Sequence, residues 1–200
     1  MEPDRDTREV MALLDGALAD SGLTQAEFAA ALGTSASRLS TYRSGKTKPT
    51  AVFCFRARRI ARGLAVARGS RLMSAPETAK AFRRAGGDED RAWRTLLQGR
   101  DHLVLLLERG DGSACAWEAA PSTTGSAGFD VLLAALARCE FERAGVDPPA
   151  WCEPKSLPRP WVPEHPFLGP DEVIAATPDY LKNLNVFVPA RDLVTGKVRN

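Results

Sequence analysis

The sequence predicts a mainly α-helical protein in two parts, and three observations predict it. Apolar residues recur at helical spacing through most of the chain before residue 146. Capping residues and glycines bracket those periodic runs. A stretch dense in proline then interrupts the pattern: residues 147–170 hold eight prolines in 24 positions. Neither a helix nor a central strand tolerates that density, so an extended strap is expected there. The division that follows is a first domain over 1–72, a helical region over 73–146, and the strap with a C-terminal tail over 147–200.

The elements follow in order. A first helix is expected from about Arg8 to Asp20, on Val10, Leu13, Leu14, Ala17 and Leu18, and Ser21-Gly22 ends it. Thr24 opens a second helix, and Glu27 three residues on completes a capping box. Gly33 closes it by taking a left-handed conformation. A third helix starts at Thr34 or Ser35, buries Leu39 and Tyr42, and stops at Gly45. After the loop at 46–50 a fourth helix spans about Ala51 to Ala67, with Val52, Phe53, Phe55, Ile60 and Leu64 as its apolar positions. Ser74 and Glu77 form another capping box with Pro76 in the first turn. A longer helix runs from Asp88 or Asp90 to about Arg109. Residues 110–128 are rich in Gly, Ser, Thr and Pro and read as a loop. Helix resumes from Phe129 to Gly145. Short helices are expected after Pro170 and after Thr177-Pro178, then a short strand at Val186-Phe187-Val188, and a frayed end from Thr195 to Asn200.

The 200 residues are 44% hydrophobic and 26% charged, enough apolar material for a buried core. No run of 18 apolar residues occurs, so no transmembrane helix is expected. The acidic, polar start at Met1 to Arg8 is unlike a signal peptide. Cys54, Cys115, Cys139 and Cys152 are scattered, which points to reduced thiols in a cytoplasmic protein and not to a disulfide framework or a zinc site. His102 and His165 lack metal-ligand spacing, and no phosphate loop or nucleophile elbow is present. A non-enzymatic role without cofactor or metal is the expectation. The net charge of +2 is unevenly spread: from Gly33 to Leu72 there are ten Lys or Arg and no Asp or Glu. Such a stretch is a candidate phosphate-binding surface.

Within it lie Leu23-Thr24-Gln25-Ala26-Glu27-Phe28-Ala29, Leu32-Gly33-Thr34-Ser35, Leu39 to Lys46, and Pro49. With these residues the segment Leu23–Leu64 resembles the lambda-repressor-like, Cro or Xre class of helix-turn-helix domain. The resemblance implies a third helix set into the major groove of double-stranded DNA. By position it implies that Ala36, Ser37 and Thr41 face the bases, with Arg38 beside them to reach guanine or a phosphate. Gln25, Ser35, Ser44, Lys46 and Lys48 match backbone-contacting positions, and Arg43 lies in the same matched stretch. Ala36 donates no hydrogen bond, and Ser37 and Thr41 are short. Thymine methyl contacts, water bridges and DNA shape are therefore expected to share the readout.

One recognition helix covers only a half-site, so a homodimer is expected. The function implied is transcription repression, with autoregulation. For residues 73–200 two readings stand. In one they bind a protein partner, the toxin of a toxin-antitoxin pair, and Trp151, Trp161, Phe167 and Phe187 are the anchors. In this reading the strap lies along the partner at a low entropy cost. The overall layout, the helix-turn-helix together with a tail reading TPDYLKNLNVFVPARDL, looks like actinobacterial Xre-type regulators found in toxin-antitoxin pairs. In the other reading the region dimerises or senses a ligand and there is no toxin. A helix-turn-helix used for protein contacts is a further alternative.

Overall fold

The computed structural model describes residues 4–194. The chain is nearly all helical, with the helix-turn-helix segment at its N-terminal end and further helices after it. Contacts divide it into two compact units, one of residues up to 80 with 102–122, the other of 81–101 with 123 onward.

The first unit begins with α1 (Arg5–Ser21). It starts earlier than the expected Arg8 because Asp4 caps it: Asp4 Oδ1 accepts the Thr7 amide at 2.7 Å. α2 (Gln25–Ala31) opens on the expected capping box of Thr24 and Glu27. α3 (Ala36–Arg43) is capped by Ser35, whose Oγ accepts the Arg38 amide at 3.1 Å. α4 (Ala51–Gly69) is capped by Thr50. Gly33 and Gly45 sit at φ of 69° and 70°, where an L side chain is strained. At Gly45 a Cβ would also come within 2.9 Å of Met11 Sδ. Leu14, Phe28, Leu39, Ile60 and Leu64 fill the core.

Two expectations need correction here. Val52 and Phe55 are 76% and 66% exposed, not part of the core. The buried arc of α4 runs through Cys54, Ala57, Ile60, Ala61 and Leu64, and at 100° per residue that arc leaves 52 and 55 outside. The segment 110–128 is also more than a loop. It holds a 3₁₀ helix, Ser113–Trp117, that packs against α4. Trp117 is fully buried and its Nε1 donates to the Met73 carbonyl at 2.9 Å. The approach is close enough that Gly63 has no room for a side chain: a Cβ there would lie 2.7 Å from the Cys115 carbonyl carbon.

Two helices carry the chain onward. α5 (Ala75–Arg83) follows Ser74, which exchanges hydrogen bonds with Glu77 as the capping box requires. α6 (Glu89–Glu108) is opened by Asp88, whose Oδ1 accepts the Arg91 amide at 2.9 Å. His102 is satisfied within the first unit, its Nδ1 accepting the Met73 amide at 2.8 Å.

The second unit is built on α7 (Ala127–Arg143), which buries Leu132, Leu133, Leu136 and Phe141 as expected. Phe129 gathers Phe82, Trp93 and Trp161 at centroid distances of 4.6, 5.3 and 4.9 Å. Trp161 lies so close to Gly128 that a Cβ there would meet its Cγ at 2.7 Å. The strap is extended apart from one 3₁₀ turn at Ala150–Cys152. The strand expected at Val186-Phe187-Val188 reduces to a single parallel bridge with Trp161. Trp161 donates to Asn185 O at 2.8 Å and accepts from the Phe187 amide at 2.9 Å. Pro160 and Pro163 flank it without amide protons, so the ladder cannot extend. α8 (Pro170–Ala176) and α9 (Asp179–Lys182) follow. The frayed end expected at Thr195–Asn200 lies outside the described residues.

Candidate nucleic-acid interface

The turn between α2 and α3 is held by short-range geometry. Ala29 is fully buried where the two helices approach, and its carbonyl accepts the Thr34 amide at 2.9 Å across Gly33. Leu39 and Tyr42 face inward, and Tyr42 meets Phe53 at 5.1 Å between centroids. Ala36, Ser37 and Arg38, in the first turn of α3, are exposed, and Thr41 is half-exposed. Of the expected base-facing residues, Ser37 and Thr41, four apart, share one side of α3, and Ala36 lies about 100° round the helix from Ser37.

Several of these side chains already have partners in the protein. Arg38 Nε donates to Tyr42 Oη at 2.7 Å, with its guanidinium 5.8 Å from that ring centroid. The Thr41 hydroxyl donates to Arg38 O at 2.8 Å, and the Ser44 hydroxyl to Thr41 O at 3.3 Å. Ser35 is occupied as the cap. Gln25 Nε2 donates to Ala36 O at 3.3 Å, while its Oε1 accepts from Arg43. Arg43 also binds Asp15 Oδ1 at 2.6 Å. Asp15, Arg43 and Gln25 thus form one chain of contacts that ties α1 and the start of α2 to the C-terminal end of α3.

Lys46 and Lys48 are exposed on the loop that follows. Lys48 Nζ lies 3.2 Å from Asp4 Oδ2. The Thr7 amide and hydroxyl, with Lys48 adding to them, hold the Asp4 carboxyl at a pKa of about 2. Two further cations of the basic stretch also bind within the unit. Arg59 binds Glu118 through both carboxylate oxygens, and Arg68 caps the C-terminal carbonyls of α1 at Asp20 and Ser21. Sequence reading missed Asp4, Asp15 and the Tyr42 hydroxyl as members of this surface. Asp15 lies 28 residues from Arg43 and no local pattern joins them. The thiols are not reactive candidates: burial pushes Cys115 up to about 11 and raises Cys54, Cys139 and Cys152.

A capped helix, a tight glycine turn and a second helix with an outward polar edge define a helix-turn-helix DNA-binding domain. Residues 17–66 match the HTH_3 family, described as helix-turn-helix, over a quarter of the chain. The match supports sequence-specific binding of double-stranded DNA and transcription regulation. No curated protein and no solved structure matches the chain. Among the described residues, no helix is long and apolar enough to cross a membrane.

Proposed function

We propose that the protein is an autoregulating transcription repressor that binds its operator as a homodimer, with one α3 in the major groove of each half-site. The observation that carries this reading is the outward edge of α3, Ser37, Arg38 and Thr41, set beside Lys46 and Lys48 in a stretch of ten cations without a carboxylate. Ala36 meets a thymine methyl, Ser37 and Thr41 reach base edges directly or through water, and Arg38 takes guanine or a phosphate. Gln25, Ser35, Arg43, Ser44, Lys46 and Lys48 hold the backbone and fix the register.

A fluorescence-anisotropy titration tests this. The probe is the duplex just upstream of the protein's own coding region, at two salt concentrations, with random duplex as competitor. Binding that survives the competitor is expected. Equal affinity for the probe and for random duplex would leave no operator there and would overturn autoregulation.

A second reading concerns residues 73–200, that they hold a protein partner as an antitoxin does. Phe167 favours it. The ring is 85% exposed on a turn whose amides at Phe167 and Leu168 both donate to His165 Nδ1 at 3.0 Å. An aromatic presented on a preorganised turn costs little entropy to bind. Trp161, by contrast, is spent inside its own unit.

A further inference from the structure

The outer side of α1 and α4 carries a knob and a groove on one surface, and we infer that two copies of the chain meet there through a two-fold axis. This deepens the dimer reading above and rests on it for stoichiometry alone. The groove is open and about 320 Å³, walled by Leu13, Gly16 and Asp20 of α1 and by Arg58 and Ala61 of α4. A cavity of roughly 150 Å³ already holds a benzene ring, so a phenyl side chain has room. The knob is Phe55. It lies one turn before Arg58 on the same side of α4, with Val52 one turn before that.

The surface is complementary to itself. An isologous interface requires each patch to carry both halves of every contact. Here one patch holds the ring and the recess for it. It also holds a carboxylate and a guanidinium, Asp20 and Arg58, neither of which has an ion-pair partner among the described residues. The operation that seats Phe55 of one copy in the partner's groove seats the partner's ring in return, and it brings Arg58 toward the partner's Asp20. DNA fits this face poorly. Asp20 repels phosphate, and Val52 and Phe55 offer a phosphate nothing. A uniformly acidic partner would satisfy Arg58 and leave Asp20 opposed. Because α4 begins at Ala51, just beyond the Lys46–Thr50 loop, pairing through α4 sets the spacing of the two α3 helices.

Sedimentation equilibrium of the full chain without DNA tests the interface, with anisotropy on a half-site duplex as the separate readout. Wild type is expected to dimerise. Phe55→Ser removes the knob. Gly16→Met fills the groove, and it is compatible with the monomer because nothing lies within 4 Å of a Cβ at Gly16. Each variant is expected to weaken association by about tenfold or more while half-site binding stays unchanged. Asp20→Arg alone is expected to weaken association, and Asp20→Arg with Arg58→Asp to restore it. A wild type that stays monomeric, or a dimer that these variants leave intact, overturns the interface. Loss of half-site binding by wild type would instead count against the DNA reading.

Discussion

Asp4 serves two partners with one carboxylate. One oxygen caps α1 through the Thr7 amide, and the other meets Lys48. Its pKa is lowered from 3.8 to about 2, so the folded state favours the charged form. The resulting stability is present above the unfolded value and is lost as pH falls through about 2. An NMR titration of the Asp4 carboxyl is expected to show this depressed midpoint, and a midpoint near 3.8 would deny the cap. Lys48 is also one of the proposed backbone contacts to DNA. Lys46→Ala and Lys48→Ala are each expected to weaken binding to every duplex and to lower the salt slope by about 0.9 per phosphate lost. Ser37→Ala or Thr41→Ala should instead change sequence preference, by about 1–3 kcal/mol at the affected base pair. Equal losses on cognate and random duplex would remove those two from the readout. These roles differ in how far the sequence alone displays them. The caps at Thr24 and Ser35 act over three residues and are visible there. The Asp15–Arg43–Gln25 chain spans three helices, and only the fold brings it together.

At the scale of elements, α4 shows what periodicity conveys and what it misses. The run Cys54, Ala57, Ile60, Ala61, Leu64 marks the buried arc. Val52 and Phe55 add apolar character without adding burial, because they lie on the side of α4 away from that arc. Trp117 is the opposite case: a Gly- and Ser-rich composition hides an anchor that fills the core beneath α4. That packing makes two glycines respond oppositely to one substitution. Gly63→Ala gains helix propensity worth about 1 kcal/mol, but it forces a methyl against the Cys115 and Ala116 backbone. Overpacking of that kind costs about 1–3 kcal/mol, so a net loss of stability is expected. Gly16→Ala meets nothing within 4 Å and is expected to gain up to about 1 kcal/mol. Urea unfolding of the two variants reads the signs directly. A stabilised Gly63→Ala would mean that the 3₁₀ helix does not press on α4.

For the whole molecule, the near-neutral total of +2 understates how the chain meets DNA, because ten of its cations lie in a forty-residue stretch free of acids. The field is therefore concentrated in the helix-turn-helix, where Asp4, Asp15 and Glu118 offset Lys48, Arg43 and Arg59 at contact distance, while charges beyond a Debye length are largely screened. Each phosphate neutralised releases counterion, so the slope of log K against log salt counts contacts. In the proposed complex a monomer on a half-site samples one set of cations: Lys46, Lys48, and Arg43 where it exchanges Asp15 for a phosphate. A dimer on the full operator samples two identical sets. The slope on the full operator is accordingly expected to be about twice that on a half-site. Phe55→Ser should show two independent half-site slopes in place of one doubled slope. Anisotropy titrations of wild type and Phe55→Ser from low to physiological salt measure both. A full-operator slope equal to the half-site slope would mean that a single copy makes all the phosphate contacts, and the two-fold arrangement would fall with it.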